Sequence, residues 1–524
     1  MKKINILYTA IGAMLTLSSC NNFLDKLPDD RAELNTEAKI TSMMVSAYAT
    51  HSPALIMEYC SDNETDNGPL YDSYKSQEEA YHWKDITNEG NDDPKNVWQS
   101  NYGAVAAANQ ALQAIAEMGN PASLNPQRGE ALMCRAWAIF RLANMFCLSY
   151  NPQTADKDLG LPYPIAPETQ VTVKYERGTL AELYKKINDD IETALPLIDD
   201  NIYTVPKYHF NRKAAYAFAA RFNLFYMQYD KTIEYANEVL GANTTINQLR
   251  NFVPYMALGY EDCGNSWIQA SEPANLMMQT AYSLAGRMLC GANYTRYGHN
   301  RDINNYETYR PTGPWGAGGY DLLYYGSHMF APSSGNNVYF PNQTEQWEVT
   351  DKVNNTGYAH IVEVPFTTEE TLLCRAEAYT MKKEYEKALV DLNLWQQSHC
   401  YPARNSFTLK TLTLDYLKTF YDAIKYTPVP VTITKERTIK KTLNPQGFTV
   451  EPGDQENLIQ CILFYRRIDL VKTGMRFVDI KRYGIAFSHA VSGSDPIVFA
   501  AGDLRGAIQL PSDVITAGLT ANPR

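Results

Sequence analysis

Apolar and polar positions follow three different patterns along this chain. The first pattern is confined to the N-terminus, where Lys2 and Lys3 precede a mostly apolar run from Ile4 to Leu17 that stops at Leu17-Ser18-Ser19-Cys20. That run is too short to cross a bilayer as a stable helix, and its positive flank is that of a secretion signal. Its end has the form of a bacterial lipobox, in which the cysteine becomes the first mature residue and is acylated. An ordinary signal peptide with an incidental cysteine is the alternative. Residues 1–19 are read as the signal peptide and 20–36 as a polar tether, with Cys20 carrying the lipid. Several acyl chains at about 0.8 kcal/mol per buried CH2 anchor durably where one does not. No later run of about 18 apolar residues occurs, so membrane contact is expected through the anchor alone.

The second pattern is helical. Apolar residues recur at three- and four-residue spacing over 96–118 and again over 128–146, on either side of the breaker Gly119-Asn120-Pro121. In GTLAELYKKINDDIETALPLID, Thr179 and Glu182 form a predicted capping box. Leu180, Leu183, Ile187, Ile191 and Ala194 share one face, and Pro196 is the stop. Thr367 and Glu370 open a later helix in the same way. Ala376, Tyr379, Ala388 and Leu392 then match the small, aromatic, small and large positions of a tetratricopeptide repeat, with Leu372 where that repeat has tryptophan. Residues 211–240 hold a degenerate version, with Ala220, Thr232 and Ala236 at the small positions; taken alone they fit a generic helical hairpin equally well. Such pairs bury their faces on neighbours and are expected to stack into one scaffold.

The third pattern, over 241–365, has no clear period. Glycine, proline, asparagine and aromatic residues crowd together, which marks a long functional loop region, and the many rings argue against disorder. The expected fold class is therefore mostly α: a tetratricopeptide-like helical-pair scaffold with a large irregular, loop-rich ligand-binding region and few short strands. Its parts are an N-terminal helical region (37–240), the irregular region (241–365) and a C-terminal region (366–524).

Composition narrows the functional classes. A formal charge of −11 makes nucleic acid and anionic lipid surfaces poor partners. The nine cysteines include no C-x-x-C pair, so zinc, thioredoxin-like and haem chemistry have no support and mostly free thiols are expected. SDNETDNG alternates acidic residues but has Ser73 where a calcium loop needs its bidentate glutamate, so neither a metal nor a cofactor is expected. H-E-x-x-H, G-x-S-x-G and P-loop motifs are absent, and no catalytic residue is assigned. Glycoside hydrolysis needs only two carboxylates at a set separation, a pattern that sequence does not reveal. Tyrosine is twice as common as phenylalanine, 37 against 18, which suits a wet recognition surface.

An ordered set of segments carries a family resemblance. The lipobox, Trp98, Tyr102 and Asn109, then RGEALMCRAW (128–137), DLGLP (158–162) and FYRRIDLVKTGMRFVDIKRYG (464–484) resemble the SusD/RagB family of Bacteroidetes nutrient-uptake lipoproteins. The resemblance implies a lipid-anchored protein on the outer-membrane cell surface that binds a nutrient without catalysis. It also implies a TonB-dependent, SusC-like barrel partner over which the lipoprotein sits as a lid. The chain departs from the family at Thr473-Gly474-Met475-Arg476, where Glu-Gly-His-Arg is common. Asp469, Arg476, Asp479 and Arg482 remain, and their spacing reads as structural ion pairs worth tenths of a kcal/mol each if exposed, on the order measured for helix pairs.

A saccharide offers C–H faces and a rim of hydroxyls, so its site needs flat rings flanked by polar groups, which loops bring together well. Two stretches qualify. In residues 59–94 the candidates are Asp66, Tyr71, Tyr74 and Trp83; in 267–325 they are Trp267, Tyr294, Arg296, Tyr306, Trp315 and Tyr320. The cargo is read as an oligosaccharide or polysaccharide, with a peptide as the alternative. A tetratricopeptide-like interaction scaffold and a surface glycosidase rank below both.

Overall fold

Each predicted helix starts at the residue chosen to cap it or within a few positions of it. The computed structural model describes residues 34–168, 173–290, 295–324, 338 and 340–524. Cys20, the signal sequence, residues 20–33 of the tether and Tyr294 lie outside the described residues. Helix α1 (Pro94–Glu117) begins with proline at its first turn and ends at Gly119 and Asn120, both at positive φ, where the chain reverses into α2 (Asn125–Phe146). Helix α3 (Leu180–Ala194) makes both halves of its capping box. Glu182 N donates to Thr179 Oγ1 at 3.2 Å and Thr179 N to the Glu182 carboxylate at 3.0 Å.

The two repeat-like segments fold into the same hairpin. Helices α4 (Arg212–Phe225) and α5 (Tyr229–Leu240) form one pair, α6 (Thr368–Met381) and α7 (Tyr385–His399) the other. Their turns match bond for bond. Met227 and Lys383 both sit at φ +62°, each donates its N–H three residues back, and Gln228 and Glu384 each donate five residues back. Ala220, Thr232, Ala236, Ala376, Ala388 and Leu392 are fully buried where helices approach. The second box, at Thr367, is only half made. Glu370 N donates to Thr367 Oγ1 at 3.1 Å, but the Glu370 carboxylate turns to the buried guanidinium of Arg221 in α4. A buried cation gains more from a carboxylate than a helix end does.

A polar clamp recurs within this scaffold. Cys134-Arg135-Ala136 lies in α2 and Cys374-Arg375-Ala376 in α6. Arg135 grips Asp190 of α3 with Nε and Nη2, both at 2.7 Å, and sends Nη1 to Asn109 of α1 at 2.8 Å. Arg375 repeats this on Asp391 of α7, at 2.9 and 2.7 Å, and on Asn237 of α5 at 2.8 Å. One planar fork thus fastens three helices in each copy.

The stretch predicted to be irregular also holds a sheet. Strands β2 (Asn275–Tyr282), β4 (Gln346–Asp351) and β5 (Thr356–Thr367) pair antiparallel in the order β2-β5-β4, and the short β1 (Thr65–Asp66) pairs with β3 (Tyr297–Gly298). The period is hidden in β2 because Asn275 to Gln279 are all buried and two register shifts break the alternation.

The C-terminal charge series is interior rather than exposed. Helices α8 (Asp454–Asp469) and α9 (Met475–Tyr483) carry it, and α8 packs on α6. Of the expected spacing-of-three pairs only Arg482–Asp479 forms, at 3.2 Å. Arg476 instead grips Asp62, Asp479 takes Arg466 at 2.8 Å, and Asp469 takes Trp395 Nε1 at 2.6 Å and His399 Nε2 at 2.9 Å. The motif is structural, as read, but its partners are distant. Cys60, Cys134, Cys147, Cys263, Cys374, Cys400 and Cys461 are buried free thiols. Replacing Arg375 by Met leaves Asp391 buried and unpaired and should lower urea-unfolding stability by about 3–5 kcal/mol; the Arg375→Met, Asp391→Leu pair should recover most of that loss.

Candidate functional site

The two aromatic stretches meet at β1 and β3. Thr65 faces Gly298 and Asp66 faces Tyr297, Asn67 N donates to Arg296 O at 2.7 Å, and Arg296 N donates to Asp72 O at 2.7 Å. Asp66 locks this junction. Its carboxylate accepts Arg296 Nε and Nη2 at 2.9 and 2.8 Å, Gly68 N at 2.8 Å and Ser492 N at 3.0 Å. Burial pushes this carboxyl up, but the hydrogen bonds from Arg296, Ser492 and Gly68 outweigh it and leave the pKa below its ordinary value. Asp66 and Arg296 therefore position the loop.

Beneath the junction lies a buried charge lattice. Arg476 binds Asp62 with Nε and Nη2 at 2.7 and 2.8 Å. Arg467 donates to Asp62 O at 2.8 Å, Asn63 Oδ1 at 2.8 Å and Glu307 at 2.9 Å. Glu307 also takes Arg437 at 2.7 Å and Lys441 at 2.6 Å, and Lys472 pairs with Glu64. Burial raises the Asp62 and Glu307 carboxyls, yet the surrounding cations dominate and hold both well below the usual range.

An exposed platform sits beside this support. Tyr74 heads the helix Lys75–Tyr81 and is 51% exposed. Arg287, bound through two 2.8 Å hydrogen bonds to Glu345, lies 6.0 Å over the ring of Trp347, which is 47% exposed. Its pKa is raised, chiefly by Glu345 and in smaller part by the nearby Tyr74. Trp347 and the guanidinium–carboxylate pair thus face solvent together, with Tyr74 a further exposed ring whose charge acts on Arg287, and a ring beside such a pair stacks on C–H faces and bonds hydroxyls. Sequence reading missed Trp347 because it lies beyond the stretches chosen, although an aromatic within QWEVT on an edge strand was the available signal.

The other candidates do not join this patch. Trp83 is buried, stacked 4.4 Å from His489 and donating Nε1 to Cys60 O at 3.0 Å. Trp315 is fully buried against Phe464 and Tyr465. Both are corrected to packing residues, since neither presents a free face. Tyr71 is half-buried within the stitched loop and Tyr306 is half-buried at the end of the helix Arg301–Tyr306. Tyr320 is exposed elsewhere, with Arg310 5.8 Å over its ring, and Trp267 lines an interior cavity.

Comparison with known proteins bears on this arrangement. Residues 22–224 match the SusD-like family model described as starch-binding associating with outer membrane. A SusD superfamily protein from Bacteroides thetaiotaomicron VPI-5482 is 19% identical with a TM-score of 0.60, over 93% of this chain and 98% of its own. A putative sugar binding protein from Bacteroides vulgatus ATCC 8482 is 17% identical with a TM-score of 0.64, over 94% and 99%. A SusD-like carbohydrate binding protein from the same strain is 15% identical with a TM-score of 0.59, over 88% and 86%. No curated protein matches the sequence. The mostly helical fold expected from the sequence is the fold of these structures.

Titration couples the support to pH. Asp92, just before α1, accepts hydrogen bonds from Ser283 Oγ and, at 2.9 Å, Leu284 N, which ties the end of β2 to the scaffold. Burial is the largest effect on its carboxyl and raises its pKa to about 7; Glu64, also buried, rises to about 7. A raised folded-state pKa gives a contribution that is full below the unfolded value near 4 and is lost as pH rises through 7. Replacing Asp92 by Asn should therefore remove part of the wild-type decline between about pH 4.5 and 7, where one such group approaches ~1.4 kcal/mol per pH unit. Thermal unfolding of both proteins across that range is the measurement.

Proposed function

We propose that this chain, which is similar to the SusD-like family model over residues 22–224 and to SusD superfamily structures in fold over nearly its whole length, captures an oligosaccharide or polysaccharide at the cell surface. The observation that carries the reading is the exposed Trp347 with Arg287 over its ring, together with the exposed Tyr74 in the loop that Asp66–Arg296 and the Asp62–Arg467–Glu307 lattice hold. Sugar rings stack on Tyr74 and Trp347, while Arg287 and Glu345 bond the hydroxyl rim. The family description, starch-binding associating with outer membrane, supports this cargo and this location.

The remaining parts of the proposal follow the same resemblance. Cys20 carries the lipid that tethers the protein to the outer membrane. The protein serves as a lid on a TonB-dependent, SusC-like barrel and hands its cargo on without chemical change. A shallow, solvent-facing platform binds weakly by itself, and closure over the barrel adds the second wall that retains the ligand.

Retention on glycan-containing gels tests the platform. Tyr74→Ala or Trp347→Ala should each weaken binding to the retained glycan about tenfold, the scale of one lost base- or sugar-stacking ring, whereas Trp315→Leu should lower thermal stability first. Unchanged retention in both platform variants would remove the platform from the site, and capture of peptides with no glycan retained would replace the cargo. Purification of the lipidated protein from mildly solubilised outer membranes should bring down a large barrel in equimolar amount.

A further inference from the structure

The sheet β2-β5-β4 turns one face to the core and the other to solvent. Ala281 and Ile361 pair across β2 and β5 and are buried with Ala359, so the positions between them point outward. The outward set is Thr280 and Tyr282 of β2, Tyr358, His360 and Val362 of β5, and Glu348 of β4. Trp347, opposite Ala359, belongs to the other face. The outer face is therefore separate from the ring that Arg287 covers.

Two tyrosines form a corner on this outer face. Tyr282 and Tyr358 are 37% and 56% exposed, their ring centroids lie 5.8 Å apart and their planes meet at 72°, so one ring serves as floor and the other as wall. The ring of His51 lies 5.9 Å from that of Tyr282. Neither phenol hydroxyl has a hydrogen-bond partner among the described residues, and Glu348, the cross-strand neighbour of Tyr358, has no ion pair among them. The backbone beneath is fixed from both sides. Tyr282 N donates to Thr50 O at 2.8 Å, Ser283 N to Ala359 O at 3.2 Å, and Thr50 N to Ser100 Oγ of α1 at 2.7 Å. A ligand that meets strands already held in place has little ordering cost to offset.

The chemistry of the corner selects its occupant. No lysine or arginine stands among the outward residues and Glu348 is a carboxylate, which disfavours an anion. Burial lowers the pKa of His51, against a hydrogen bond with Asn91, and leaves a neutral imidazole that donates from one nitrogen and accepts at the other. Tyrosine faces stack on C–H groups, while hydroxyls donate to and accept from phenol, imidazole and carboxylate together. A stable protein interface takes about 20–30 residues a side, far more than the outward positions of these strands supply.

We propose that the outer face of the sheet is a second saccharide site, in which the Tyr282–Tyr358 corner takes one neutral sugar ring of a glycan chain, with Glu348 and His51 at its rim. It rests on the carbohydrate reading above but uses none of Tyr74, Arg287 and Trp347.

Fluorine NMR of the full, lipid-free chain carrying fluorotyrosine tests the proposal, with neutral hexasaccharides of glucose, mannose, xylose and galactose as probes and hexagalacturonate as the anionic control. Tyr282→Phe and Tyr358→Phe identify the two resonances. At least one neutral probe should move both saturably, and should still do so in the Tyr74→Ala/Trp347→Ala variant. Tyr358→Ala, read at the Tyr282 resonance, should weaken that probe about tenfold at an unchanged thermal midpoint, the scale of one lost stacking ring. Tyr282→Ala, read at the Tyr358 resonance, should do the same; if it lowers the midpoint, the more exposed Tyr358 decides. The proposal is overturned if no neutral probe moves either resonance, if hexagalacturonate binds more tightly than every neutral probe, or if Tyr358→Ala binds as the wild type does. Broadening of both resonances with protein concentration alone would make the face a protein contact and overturn it too. Shifts lost in the Tyr74→Ala/Trp347→Ala variant would overturn this site and leave the platform standing, whereas unchanged glycan-gel retention there, with the shifts kept, would remove the platform and support this site.

Discussion

Arg467 is the residue on which the loop of the proposed recognition face depends. Its guanidinium donates to Asp62 O, Asn63 Oδ1 and Glu307, so a single side chain of α8 joins the loop that becomes β1 to the loop that follows β3. Taking so many charges out of water is costly, and the geometry has to be close to ideal for the lattice to hold. Here it is: Arg476 closes on Asp62 with two hydrogen bonds, and Glu307 meets three cations. A lysine at 467 lacks the fork that reaches three acceptors in three directions.

This rigidity accounts for the contrast between the two layers of the face. Below, Asp66 and Arg296 are spent on each other and on backbone amides. Above, Tyr74 and Trp347 stay half exposed although each could cover apolar surface elsewhere. Exposed rings are costly to leave uncovered, which is why these two enter the proposed site.

The helical scaffold was legible because its signals are local. Thr179 and Glu182 lie three residues apart, and the turns at Met227 and Lys383 follow from short hairpins whose small residues recur in order. The support of the site was not legible, because its partners are remote: Asp62 and Arg476 are 414 positions apart, and no spacing rule links them. Charge spacing alone therefore placed Arg476 in a helix-surface pair. Aromatic density located both stretches that meet at β1 and β3, but it does not separate a ring that packs from one that faces water. Trp315 and Trp83 show the first case and Tyr74 the second. The sheet escaped notice because β2 is buried almost throughout and alternates over only its last residues.

The long reach of the lattice also sets an order of assembly. Helical pairs of the scaffold are built from neighbouring segments and can form as the chain emerges, whereas the loop bearing Tyr71 and Tyr74 is without its anchor until residues 467, 476 and 492 have been made. Non-local contacts of this span are slow to find. A chain that stalls before these anchors therefore has most of the helices of its scaffold and no anchored loop, which makes the proposed face a report that synthesis has passed Ser492.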